Sequence, residues 1–181
     1  MKVVCYGDSN TYGFDPRSLF GERYGPKERW VDILAGRTDW QIVNEGMNGR
    51  EVPAFSVQFP VDTDLLIIML GTNDLLQGRQ PNVISDRMNC FLEQIHFKNV
   101  LLISPPWLQL GAWVSGRELV EASKMLSELY YELAQKRHLM FVDAAEWNVD
   151  ILFDGVHFSE AGHRAFADGL YGYLMDNMEM V

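Results

Sequence analysis

Short apolar runs alternate along this chain with longer segments of helical periodicity, and no other feature restricts the fold as much. Residues 2–6, 64–70, 100–103 and 139–142 are rich in Val, Ile and Leu and are each followed by polar or Gly/Pro residues; residues 41–44 make a weaker fifth run. Helical patterns occupy residues 28–37, 81–97, 117–137 and 160 to about 178. In the third of these, Leu119, Ala122, Leu126, Leu129 and Leu133 recur at steps of three and four, one apolar stripe suited to packing on a sheet. Strands that alternate with helices pair in parallel through right-handed crossovers. The expected fold is therefore α/β, a three-layer α/β/α sandwich around a five-stranded parallel sheet. The 181 residues suit one domain, with no internal repeat or low-complexity linker to mark a second.

Charge narrows the partners. Fifteen Lys and Arg against 25 Asp and Glu leave a formal net charge of −10, which opposes attraction to phosphate backbones and anionic membrane surfaces. No apolar run approaches the length that crosses a bilayer, and only four apolar residues follow Met1 and Lys2 before the polar Gly7-Asp8-Ser9-Asn10, too few for the core of a secretory signal. The expectation is a cytoplasmic protein acting on a small molecule, without nucleic-acid or membrane partners. Cys5 and Cys90 lie far apart in apolar surroundings and read as reduced, buried thiols.

In an open parallel sheet, ligands bind beyond the carboxyl ends of the strands. Four polar segments fall there: Gly7-Asp8-Ser9-Asn10, Glu45-Gly46-Met47-Asn48-Gly49, Gly71-Thr72-Asn73-Asp74, and Asp154-Gly155-Val156-His157-Phe158-Ser159 before the last helix. A serine hydroxyl is a weak nucleophile near neutral pH; it needs a base within hydrogen-bond reach, and the base needs a partner that fixes its tautomer. Ser9, His157 and Asp154 can fill these roles, because a separation of three residues lets one tight turn bring Asp154 to the Nδ1 of His157. Ser159 would cap the helix that follows. Ester cleavage also needs donors aimed at the developing oxyanion. The Ser9 and Gly46 N–H groups and the Asn73 amide are the candidates.

These four blocks, in this order and spanning nearly the whole chain, resemble the SGNH hydrolase or GDSL-like lipase/esterase superfamily. The resemblance implies its flavodoxin-like fold, with Ser9 as nucleophile, His157 as base, Asp154 as its partner, and Ser9, Gly46 and Asn73 as the oxyanion hole. The stretch from Gly7 to Pro16 is similar to the arylesterase and acyltransferase branch, whose members favour short acyl groups and are often homo-oligomers. Asn10 replaces the leucine that gives the GDSL name, and Tyr12 stands where that branch often carries tryptophan, which makes Tyr12 a candidate substrate contact. The expected function is hydrolysis of short-chain esters, acetyl foremost, through an acyl-enzyme. Acyl transfer by the same intermediate, or sugar binding without catalysis, are the alternatives.

The remaining motifs point elsewhere or nowhere. Trp107, Leu108 and Trp113 sit in an apolar loop after the fourth strand, where they either wall the acyl or alcohol pocket, form a subunit contact, or cover the core. Asp8 and Asp74 read as turn or cap residues; His96, His138 and His163 read as surface or packing residues. Asp62 and Asp64 lack the spacing of a calcium loop, and no metal or organic cofactor is implied. A local cluster of Arg17, Arg23, Lys27 and Arg29 could offset the acidic surface. There is no Gly-x-Ser-x-Gly elbow and no Gly-rich phosphate loop with its lysine.

Overall fold

A computed structural model describes residues 1–177. The chain runs β1 (Lys2–Gly7), α1 (Ser9–Tyr12), α2 (Trp30–Arg37), β2 (Gln41–Gly46), β3 (Leu65–Met69), α3 (Thr72–Leu76), α4 (Pro81–Leu92), β4 (Val100–Ser104), α5 (Arg117–Arg137), β5 (Met140–Asp143), a 3-10 turn (Ala144–Trp147) and α6 (Glu160–Asp176). All five strands are parallel, in the order β2-β1-β3-β4-β5.

Side chains that alternate along the strands divide the interior in two. Val3 and Cys5 of β1, Leu65, Ile67 and Met69 of β3, and Leu101 and Ile103 of β4 face α2 and α6, where Trp30, Leu34, Phe166 and Leu170 complete one core. Val4, Tyr6, Leu66, Ile68 and Leu102 face α4 and α5, where Ile84, Met88, Phe91, Leu126 and Tyr130 complete the other. Each fully buried side chain of this size stabilises the fold by roughly 1.5–3 kcal/mol. Helices on both sides explain why β1, β3 and β4 read as near-continuous apolar runs. The edge strand β2 is largely half-exposed, which accounts for its weaker pattern.

The differences from the sequence reading have local causes. The fourth helix stops at Leu92 rather than 97: Gln94 and Ile95 donate to the Phe91 and Leu92 carbonyls in a tightened last turn, and Ile95 and Phe97 fold back onto the core beneath α4. Cys5 is buried, which pushes its thiol pKa well above the usual range, but Cys90 is exposed because it falls off the buried stripe of Ile84, Met88, Phe91 and Leu92. The last helix is followed to Asp176; its expected end at Met178 lies outside the described residues. Two short helices, α1 and α3, begin at the polar exits of β1 and β3 and are too brief to leave a periodic signal. No helix among the described residues is long and apolar enough to cross a membrane.

Candidate active site

Ser9 opens α1 directly beyond β1. Asp8 is the helix cap: its Oδ1 accepts from the Asn10 N–H at 3.0 Å. As the first residue of a helix, Ser9 has a backbone N–H with no partner among the described residues. Its Oγ lies 2.9 Å from His157 Nε2, and His157 Nδ1 lies 2.6 Å from Asp154 Oδ2. A carboxylate can only accept, so Nδ1 carries the proton and Nε2 is left to accept from the serine hydroxyl.

The turn bearing Asp154 and His157 is built from its own backbone. Asp154 Oδ1 accepts from the Val156 and His157 N–H groups at 2.9 and 3.0 Å. Burial pushes the Asp154 carboxyl pKa up, but the His157 side chain and these two N–H groups outweigh it, and the carboxyl stays below its ordinary range. Gly155 adopts φ +82°, and a Cβ there would meet the Gln109 carbonyl, since the loop after β4 is clamped onto this turn: Gln109, Ala112 and Trp113 donate to the carbonyls of Gly155, Phe153 and Asp154. The clamp sets the Trp113 ring 5.0 Å from the His157 ring, edge to face, while Phe14 packs on it at 4.9 Å.

The structure corrects one donor. The Gly46 N–H donates to Asn44 Oδ1 at 2.9 Å, and Gly46 itself lies against α1, where a Cβ would strike the Tyr12 nitrogen. Its missing side chain serves packing. The glycine that borders the cleft is Gly49, whose N–H has no partner among the described residues. Asn73 also borders the cleft; its Nδ2 donates once, to the Arg50 carbonyl at 3.1 Å, which leaves its second proton available. Arg50 in turn lies over the Tyr6 ring and donates to the carbonyls of Gly7 and Glu45. Asp74, read from sequence as a turn or cap, is fully buried: its Oδ2 accepts from the Val52 N–H at 2.8 Å, and Arg87 and Arg79 approach Oδ1 at 3.1 and 3.3 Å. Asn73 and Asp74 thus fasten the loop after β2 at two points beside Gly49.

Ser9, Phe14, Asn48, Gly49, Asn73, Leu76, Trp113, Val156 and His157 enclose a cleft of about 180 Å³. Of the aromatic and apolar candidates, only Trp113 lines it. Tyr12 lies outside, its ring under the Arg23 guanidinium at 4.3 Å. Trp107 is 41% exposed with the Lys124 ammonium 5.4 Å from its ring centroid, and Leu108 is buried core; both border a separate hollow of about 470 Å³ with Arg117, Glu121 and Asn148. The loop doubles back at Gly111, so only its second tryptophan reaches the histidine. Asn48, Gly49 and Val156 lie within the polar segments read from the sequence without an assigned role, and Phe14 and Leu76 carry no chemical signature of their own.

In the basic cluster Arg17 pairs with Asp15 and Glu160 and Arg29 with Asp32, while Arg23 lies over the Tyr12 ring. Asp62 takes the Lys2 ammonium and Asp64 its N–H. His96 and His138 are exposed, whereas His163 is fully buried among Tyr24 and Phe158, and burial, with His157 and Arg29 nearby, lowers its pKa to about 3. Ser159 caps α6 as expected, accepting from the Gly162 N–H at 3.0 Å. No group of three or more His, Cys, Asp or Glu among the described residues is arranged to hold a metal ion.

A parallel sheet in this order, with a serine, a histidine and an aspartate hydrogen-bonded in sequence at its strand ends, defines an SGNH hydrolase. Residues 5–165 match the model of the GDSL-like Lipase/Acylhydrolase family, and the chain belongs to that family of carboxylic ester hydrolases. Among solved structures, the native aryl esterase of M. smegmatis is 27% identical with a TM-score of 0.79, over 97% of this chain and 98% of that one. A carbohydrate acetylesterase from Sinorhizobium meliloti is 26% identical with a TM-score of 0.80, over 97% and 98%. A second carbohydrate acetylesterase family member from the same organism is 26% identical with a TM-score of 0.78, over 99% and 98%. Comparison with curated proteins finds no match.

Proposed function

We propose that the protein is a serine esterase that hydrolyses short-chain acyl esters, acetyl esters foremost, through an acyl-enzyme. The observation that carries this reading is the Ser9–His157–Asp154 chain, at 2.9 and 2.6 Å, opening into a cleft of about 180 Å³. His157 Nε2 takes the Ser9 proton as Oγ attacks the ester carbonyl carbon, and Asp154 holds Nδ1–H and stabilises the imidazolium. The oxyanion is met by the Ser9 and Gly49 N–H groups and the free Asn73 Nδ2 proton. Collapse of the tetrahedral intermediate expels the alcohol, which takes the proton from Nε2. Water, deprotonated by the same histidine, then attacks the acyl-serine and releases the acid.

The cleft supports the acyl preference, because it is smaller than the 300–1,000 Å³ typical of drug-sized ligands and is walled by Phe14, Leu76, Val156 and Trp113. The similarity to an aryl esterase and to carbohydrate acetylesterases supports the same class of substrate. Hydrolysis of chromogenic acetate, butyrate and octanoate esters by the wild type and by Ser9→Ala tests the reading. Acetate should turn over fastest, and the folded Ser9→Ala should lose essentially all turnover. A folded Ser9→Ala that retains the wild-type rate would overturn the mechanism; octanoate turning over fastest would overturn the acyl preference.

A further inference from the structure

Resting on the serine-esterase reading above, we propose that Asn10 is the positioning residue that holds the nucleophile and the base in register. Asn10 follows Ser9 on α1 and is only 3% exposed. Its side-chain amide reaches across the top of the sheet to the turn that carries His157. There Nδ2 donates to the Val156 carbonyl at 3.1 Å, and Oδ1 accepts from the Phe158 N–H at 3.0 Å. These are the two residues flanking His157, so one planar amide pairs with the peptide backbone on both sides of the base. On its other side the Asn10 carbonyl accepts from the Trp30 indole N–H at 3.0 Å, and Trp30 is itself buried in the core beneath α2.

Ser9 and His157 are 148 positions apart in sequence and sit on separate elements. Apart from the packing of Phe14 and Trp113 against the imidazole and the Tyr24 hydroxyl, which donates to the Phe158 carbonyl at 3.2 Å, the 2.9 Å Oγ–Nε2 approach needs a direct tie between α1 and the histidine turn. The Asn10 amide supplies that tie with two hydrogen bonds of fixed relative direction, since its donor and acceptor lie in one plane. Leucine at this position, as in the motif that names the family, could form neither bond. In this chain the register of attack therefore depends on a polar clamp next to the nucleophile. A misplacement on the order of 1 Å between reacting groups lowers turnover about a hundredfold.

The test compares wild type, Asn10→Ala and the isosteric Asn10→Asp, which keeps the acceptor but loses the donor to Val156. Steady-state hydrolysis of a chromogenic acetate ester is measured on protein whose active-site concentration is fixed by titrating a separate aliquot with a serine-directed sulfonyl fluoride, and folding is checked by circular dichroism. Both variants should lose about ten- to a hundredfold in kcat per titrated site, with KM within about twofold of wild type, and should react correspondingly more slowly with the sulfonyl fluoride. A purely structural Asn10 would lower the number of titratable sites and leave kcat per site unchanged. That result, or wild-type kcat in either folded variant, would overturn the proposal. If Asn10→Ala does not fold, Asn10→Asp decides on the same criteria. Retention of turnover by Ser9→Ala would show instead that the underlying mechanism has failed.

Discussion

Asp8 offers a stability measurement whose size and sign follow from the structure. The carboxyl caps α1 yet is only 1% exposed, and its Oδ2 has no hydrogen-bond partner among the described residues. Burial raises its pKa from 3.8 to about 6, against the opposing pull of the Asn10 N–H, His157, Thr72 and Arg50. A carboxyl raised in the folded state holds its proton more tightly folded than unfolded. Its contribution is therefore most favourable below about pH 3.8 and is lost as pH rises through 6. A difference of about two pH units at about 1.36 kcal/mol each makes the charged Asp8 a burden of roughly 3 kcal/mol above pH 6. Asn at this position keeps an oxygen for the Asn10 N–H and carries no charge. Asp8→Asn should thus stabilise the protein at pH 8 by up to about 3 kcal/mol, roughly 6–12 °C in Tm for a domain of this size. The advantage should shrink toward zero by pH 4. Paired thermal and urea melts across pH 4–8 measure it. A variant that melts at or below wild type at pH 8 would refute the reasoning, because it would mean that the charged form is favoured by its surroundings despite burial.

Two further outcomes are expected. With the Asn73 amide as the proposed oxyanion donor, Asn73→Ala should lower kcat by about 10²–10³ with a small change in KM, measured on acetate esters; unchanged kcat would exclude the amide from the oxyanion hole. Trp113→Ala opens the wall beside His157 and should shift relative rates toward butyrate and longer esters, whereas Trp107→Ala, on the separate hollow under Lys124, should leave chain-length preference unchanged. The opposite pattern in a series of acyl esters would show that the larger hollow receives the acyl group.

Much of this molecule can be read before it is folded on paper. The apolar runs at β1, β3 and β4 are legible because strands covered on both faces must be apolar at every position, and α5 because its stripe is long. The residues Ser9, Asp154, His157 and Asn73 are legible because their chemistry demands particular functional groups after particular strands. Gly46 shows where that reading stops. A glycine after a strand can serve an anion, a turn or a close approach, and only the positions of Asn44 and Tyr12 reveal that Gly46 serves the approach while Gly49 reaches the cleft.

Sequence by itself determines the order of the five strands and the four long helices, the parallel sheet and the residue types of the site, since local periodicity and covalent spacing are enough to specify them. Tertiary structure alone decides which tryptophan stands on the histidine, that Asp74 and Asn73 fasten the loop carrying Gly49, and that Asn10 pairs with the backbone around His157. Each of these depends on a contact between segments far apart in the chain. Such contacts are set by the crossover geometry of the sheet and the close packing of its loops, neither of which leaves a mark on the local order of residues.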